Sequence, residues 1–470
     1  MAKYILLPMI LLGSFTIGCR KIIEIDPPSN SITTSQVFTS DQQATAVAAS
    51  IYSELINNTF GFANGGLTLF SGMSADELTL FNLNPDDDYG QFQTNSLNPN
   101  NTQIYLNLWS KPYSAIYKAN SLIEGLNGYS GVSDSVKNEL IGEAKFVRAF
   151  CHFYLLNLFG DIPLVLTINY SSTSRLSRSN PTTVYEQIIA DLYDAKERLP
   201  NDYGVGKGER IIPNRGAATA LLARVYLYKK DYLQAIEQSS EVINQTSRYQ
   251  LVNINDVFLK NSLEAIWQLQ QDNTGLNPGY NATYEGLRFI PTSSSANPFI
   301  VFRNTIVESF QSSDLRRNWI DSSIYAGIKY YFPYKYKIGA SQSAPNATIK
   351  EYYMVLRLAE QYLIRAEAYA NLNNIPNAVS DLNVIRQRAG LSPLLPSIPT
   401  NALNQEILDQ RKLELVAEWG HRWFDLKRTN QANAVLGPIK SPNWQPTDLL
   451  YPIPLSEIQS APNIVQNEGY

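Results

Sequence analysis

The sequence predicts an all-α protein, built of stacked helical hairpins with long irregular loops and minor short strands. Three observations predict it. Apolar residues recur at helical spacing through most of the long segments. Two distant segments share one spacing of small and aromatic residues. The stretches between them are punctuated by Gly and Pro and carry little helical period. With 470 residues and 44% hydrophobic content, the chain can bury a sizeable core. A formal charge of −4 leaves no basic excess, so a general nucleic-acid partner is not expected.

At the start of the chain, Lys3 gives a short positive region and residues 4–12 form an apolar run interrupted by Pro8. That run is too short to span a bilayer. Small residues lead to Gly18 and Cys19, the order a lipoprotein signal peptidase needs. Residues 1–18 therefore read as a signal peptide and Cys19 as the lipidation site. Each acyl methylene that enters the bilayer contributes about 0.8 kcal/mol, so two or more chains anchor stably. A polar, Pro-containing stretch follows (Arg20, Lys21, Pro27, Pro28), so 19–40 reads as a lipidated tether. With Cys19 acylated, Cys151 has no partner, and no disulfide framework is available.

Residues 44–56 predict a helix through Val47, Ile51 and Leu55, and residues 106–126 another through Leu108, Tyr113, Ile116, Ala119 and Ile123. Helices are also predicted over 139–159 and 184–199, the latter stopped by Pro200. Segments 222–243 and 365–385 repeat one pattern: Ala223, Tyr226, Ala235, and Ala366, Tyr369, Ala378. This resembles the tetratricopeptide pattern, in which small residues let paired helices approach closely. The 139–159 and 184–199 helices form a third candidate pair, split by a loop. Residues 57–103 and 245–348 read as long loops, of the kind that carry function, with a short strand at Ala265–Leu269. Residues 41–250 and 251–470 are expected to pack together as one globular unit.

The motif EWGHRWFDLKR (418–428) crowds Glu418, His421, Arg422, Asp425 and Arg428. An enzyme would make His421 a base beside Asp425; a structural knot is the reading adopted. His152 beside Cys151 lacks two further ligands at zinc spacing, so it is assigned to the core. Asp86, Asp87 and Asp88 offer hard oxygen ligands for Ca²⁺, without the Gly and distal Glu of an EF-hand. No cofactor is expected beyond the lipid on Cys19, with Ca²⁺ a minor alternative to a solvated turn.

Several motifs in order resemble the SusD/RagB family of nutrient-uptake lipoproteins from the outer membrane of Bacteroidetes. They are Cys19 with IIEIDPPSNSITT, LWSKPYSAIYKANSLIE at 108–124, EAKFVRAFCHFYLLNLFGDIPLV at 143–165 and VLRLAEQYLIRAEAYA at 355–370. ILDQRKLELVAEWGHRWFDLKR at 407–428 and LYPIPLSEIQSAPNIVQNEGY at the end complete the set. The resemblance implies tetratricopeptide-like units with loop-rich excursions. It implies a cell-surface, lipid-anchored lid on a TonB-dependent SusC-like barrel transporter, passing it an oligosaccharide. Peptide capture, or a protein-only tetratricopeptide scaffold, is the alternative; a surface hydrolase lacks a paired-carboxylate motif.

A sugar site needs aromatic rings for C–H faces and polar groups for hydroxyls, both on loops. In the first loop Phe81, Asn82, Asp88, Tyr89 and Phe92 meet this requirement. In the second, Tyr280, Tyr284, Arg288, Trp319 and Tyr331 do, with Tyr330 alongside.

Overall fold

A computed structural model describes residues 38–56, 60–271 and 280–470. The signal segment, Cys19 and the tether up to residue 37 lie outside the described residues. Helix dominates: α1 (Asp41–Ile56), α2 (Leu67–Ser74), α3 (Lys111–Gly128), α4 (Asp134–Phe159), α5 (Pro181–Arg198) and α6 (Arg215–Tyr228). They are followed by α7 (Tyr232–Ile243), α8 (Leu358–Asn371), α9 (Ile375–Arg388), α10 (Thr400–Glu414) and α11 (His421–Arg428). No helix among the described residues is long and apolar enough to cross a membrane.

The two repeated segments fold as α6–α7 and α8–α9. Their turns use the same local chemistry. In each, one residue takes left-handed backbone, Lys230 (φ 62°) or Asn373 (φ 58°). The next residue, Asp231 or Asn374, then caps the second helix by accepting a backbone N–H at its side chain. Ala223, Ala235, Ala366 and Ala378 are fully buried where the paired helices meet. The third pair, α4 with α5, is also present. Asn180 caps α5, Pro181 occupies its first turn, and the helix stops just before Pro200. Arg148 of α4 grips Asp191 of α5 through Nε and Nη2 (2.8 and 2.6 Å) and donates to Asn120 of α3 (2.8 Å).

The loop readings need correction. Residues 57–103 hold α2, every residue of which is buried. Its entry is a wide turn over Phe62–Gly66. The 106–126 helix begins as a π-helical stretch, Ile104–Ser110, before α3 takes over. Strands occur as two-stranded antiparallel pairs: β1 (Leu78–Leu80) with β5 (Ile300–Phe302), and β2 (Ile162–Pro163) with β3 (Arg178–Ser179). β4 (Ala265–Leu269) pairs with β8 (Tyr353–Arg357), and β6 (Ile320–Tyr325) with β7 (Ile328–Pro333). The 265–269 strand matches its expectation residue for residue.

A buried ion-pair network joins the repeats to the second loop region. Arg357, at the end of β8, contacts Glu264 (2.9 Å), Glu414 (2.6 Å) and Glu418 (2.9 Å). Arg388 reaches Glu264 and Glu414, Arg316 reaches Asp314 and Glu414, and Lys335 reaches Glu418. Arg316, Lys335, Arg357 and Arg388 thus face Glu264, Asp314, Glu414 and Glu418, four cations against four carboxylates. Seven of the eight side chains are buried and Arg388 is nearly so, and the surrounding cations hold Glu414 and Glu418 below the usual carboxylate range against the cost of burial.

Candidate functional site

The 418–428 motif is a structural knot. Asp425 accepts from Arg411 and Arg428, and Arg422 clamps Asp76 with two bonds (2.7 and 2.8 Å). His421 is buried, and burial together with the nearby Arg224 and Arg411 charges pushes it well below the ordinary histidine range. His152 is likewise buried and held down to about 3 by desolvation. Among the described residues, no group of three or more His, Cys, Asp or Glu is placed to hold a metal ion.

The acidic run is turned toward its own loop. Asp87 Oδ1 accepts from Gly90 N (2.6 Å), and Asp88 Oδ2 accepts from the backbone N–H (3.1 Å) and hydroxyl of Thr102. The loop closes so tightly that a Cβ at Gly90 would lie 1.7 Å from the Asn84 carbonyl oxygen. Asp88 therefore fixes the shape of the first loop.

The loop aromatics separate into two groups. Phe92, Tyr284 and Trp319 do not reach the surface: they are 0%, 7% and 1% exposed. Phe92 packs on Phe70 (4.6 Å) and Tyr284 on Phe60 (4.8 Å). Trp319 donates its indole N–H to Ile254 O (3.0 Å) and offers its face to the Lys335 ammonium (4.5 Å). These three are corrected from ligand contacts to core. Composition and loop position cannot distinguish a ring turned outward from one turned inward.

Phe81 is different. It directly follows β1, and its N–H bonds Phe299 O (3.2 Å), extending the β1–β5 ladder. Its ring stands edge-to-face with Tyr325 (5.5 Å, 89°) and Tyr330 (5.0 Å, 81°) of the β6–β7 hairpin. Tyr325 is exposed, Phe81 and Tyr330 are half-buried, and Asn82 beside them is exposed. The hairpin turns on Ala326 (φ 50°) and Gly327 (φ 79°), the two positive values a two-residue turn of primed type requires. Its register sets Tyr325 opposite Ile328 and Ser323 opposite Tyr330, so these side chains share a face. Tyr331 is on the other face, where Lys329 Nζ lies over its ring (5.0 Å). The hairpin is tied down by Ile324 N donating to Ser294 O (2.8 Å).

The exposed Arg288 guanidinium caps the adjoining aromatic bed, over Phe299 (5.3 Å) and Phe60 (5.9 Å). Half-buried Tyr89 closes on Phe299 (6.1 Å) and Phe60 (6.2 Å), and burial raises its hydroxyl pKa. Tyr280 is half-buried with φ 38°, and no ring contact joins it to this shelf. The structure thus assembles Phe81, Asn82, Tyr89 and Arg288 with Phe299, Tyr325 and Tyr330. Sequence reasoning missed Phe299 and Tyr325. The signal for Tyr325 was the Ala-Gly turn between two aromatic, β-branched runs.

The shelf rests on an uncharged buried acid. Glu77, immediately before β1, accepts from Ala417 N (3.3 Å), and its own carbonyl accepts from Arg303 N (2.9 Å). Burial, helped by the charge of Asp76, lifts its carboxyl to about 8. An acid raised in the folded state stays protonated there while its unfolded counterpart ionises. Stability therefore falls as pH rises from about 4.5 to about 8 and levels off above. Glu77→Gln is expected to flatten this fall, gaining melting temperature over the parent at pH 8 and little at pH 4.5. Parallel melting curves across pH check it; equal slopes for parent and variant refute it.

Residues 304–470 match the model described as "SusD family", and residues 40–227 match one described as "Starch-binding associating with outer membrane". SusD-like protein P2 of Formosa agariphila is 30% identical over 77% of this chain and 80% of its own length. A solved structure titled "Laminarin binding SusD-like protein" superposes with a TM-score of 0.76 at 24% identity, covering 91% of this chain and 99% of its own. Surface glycan-binding protein A of Bacteroides thetaiotaomicron, in complex with laminarihexaose, gives 0.76 at 20% identity, covering 91% and 100%. The two matched segments hold Phe81 and Asn82 on one side and the β6–β7 hairpin on the other, and together with the identity to P2 they show that this chain belongs to the SusD family.

Proposed function

We propose that this chain is a lipid-anchored, surface-exposed binding protein, not an enzyme, that captures an oligosaccharide and delivers it to a TonB-dependent, SusC-like barrel in the outer membrane. The observation that carries this reading is the shelf of Phe81, Tyr325 and Tyr330, with Asn82 and Arg288 at hand. Exposed ring faces and edges suit the C–H faces of a sugar. Tyrosine hydroxyls, a carboxamide and a guanidinium supply donors and acceptors to its hydroxyls. The similar laminarin-binding protein and the similar protein in complex with laminarihexaose support a glycan, and the outer-membrane description of the matched family supports the location.

Titration calorimetry with laminarihexaose, maltohexaose and a set of short peptides tests the reading, and saturable heat with a glycan is expected. Binding of peptides alone would replace glycan with peptide capture. Co-purification with a barrel, with no small-ligand binding, would favour a protein-only scaffold.

The anchor has its own test. Cys19→Ala removes the only thiol before Cys151. The variant is expected to leave the outer-membrane fraction, or to accumulate as an unprocessed precursor. A mature, fully membrane-bound variant would overturn the lipid assignment.

A further inference from the structure

A second cleft shares no residue with the hairpin shelf. It opens between the start of α3, the one-turn helix Tyr170–Thr173 and the C-terminal helix Leu455–Ser460, and encloses about 410 Å³. Small-ligand sites begin at about 300 Å³. We infer that this cleft is a second saccharide-binding site, with Tyr170 as its stacking platform and Glu457 as its hydroxyl acceptor.

Tyr170 lines the cleft and is 80% exposed. Its support is fixed. Asn169 Oδ1 accepts from Ser172 N (3.3 Å), and Glu124 accepts from the Thr167 hydroxyl (2.7 Å) and Ile168 N (3.0 Å). Asn463 Nδ2 donates to Arg175 O (2.7 Å), tying the end of this excursion to the C-terminal segment. A large ring held in solvent on a secured backbone gains nothing for the fold and is ready for a ligand face.

Trp109 and Tyr113 line the cleft too, their rings 5.1 Å apart. Trp109 is braced edge-on by Phe159 (4.9 Å), and the Tyr113 hydroxyl is committed to Pro163 O (2.9 Å). The half-buried Glu457 carboxyl lines the cleft with them. Burial raises the pKa of Glu457, and no lysine or arginine neutralises it among the described residues. Ser110, Thr173 and Ser460 add hydroxyls to the lining.

This chemistry selects the ligand. An unneutralised carboxyl repels anions, and an apolar ligand would strand it without a donor. A neutral polyhydroxylated ring gives it hydroxyl donors and presents C–H groups to Tyr170. The inference shares the saccharide-binding reading above but adds a separate site, and the two fail separately.

Calorimetry with laminarihexaose on the full chain separates them, because Tyr170 is exposed and its loss leaves the fold intact. The parent is expected to show two sites. Tyr170→Ala should weaken one of them tenfold or more and leave the other unchanged, and Glu457→Gln should weaken the same one. Phe81→Ala should remove the other. A single site abolished by Phe81→Ala and untouched by Tyr170→Ala overturns the second site while sparing the shelf. A single site abolished by Tyr170→Ala alone upholds this cleft and overturns the shelf.

Discussion

Arg357→Met is expected to destabilise the protein by about 3–5 kcal/mol, the range for removing one partner from a buried ion pair. All of its guanidinium nitrogens are engaged: Nε with Glu418, Nη1 with Glu264 and Glu414, and Nη2 with Glu418 and the Glu414 carbonyl. Its removal leaves four carboxylates facing three cations in the interior. Arg357→Lys should recover part of the loss, since the charge returns without the planar fork. A half-exposed triad near the surface gives the contrast. Asp194, held by Lys145 and Arg198 at a third exposure or less, should cost no more than about 1 kcal/mol on replacement by Ala. Chemical denaturation followed by circular dichroism reads both, and a loss below 1 kcal/mol for Arg357→Met would show that the network contributes little.

Phe81→Ala and Tyr330→Ala are each expected to weaken glycan binding tenfold or more, about 1.4 kcal/mol, while leaving the melting temperature nearly unchanged. Phe81 is the hub, because its ring touches both hairpin tyrosines. Trp319→Ala should do the reverse. It removes a fully buried indole that faces Lys335 and bonds Ile254, at a cost of about 3–5 kcal/mol to stability, with no direct contact to a ligand. Measuring affinity and stability on the same three variants separates surface from core. Unchanged affinity in Phe81→Ala would remove the shelf as the site.

The repeats were legible because their signal is local. Ala223–Tyr226–Ala235 and its counterpart near 366 record the close approach of two helices, and Asp231 and Asn374 record the caps. The knot at 418–428 was legible because so many charges beside tryptophans have to pair when buried. Helix α2 was not legible. All eight of its residues are buried, so it lacks the polar stripe that marks an amphipathic helix, and Gly72 further weakens the pattern. The candidate site was legible as two loop regions, and Phe81, Asn82, Tyr89 and Arg288 were named within them. Which rings face outward depends on the pairing of β1 with β5, a contact between residues more than two hundred positions apart, and on where the β6–β7 hairpin docks beside it. No local pattern encodes those.

The β6–β7 hairpin is fastened at its base and at Ile324, and its turn is exposed. Tyr334 N bonds Trp319 O (2.8 Å) across its base, and Lys335 immediately beyond joins the ion-pair network. Ile324 and Ile328, next to the turn, are 58% and 56% exposed. Residues 321–332 form one continuous hairpin, and substitutions there would change the rings presented beside Phe81 while leaving the α6–α7 and α8–α9 hairpins as they are. Grafting this segment from one relative into another tests whether ligand preference travels with it.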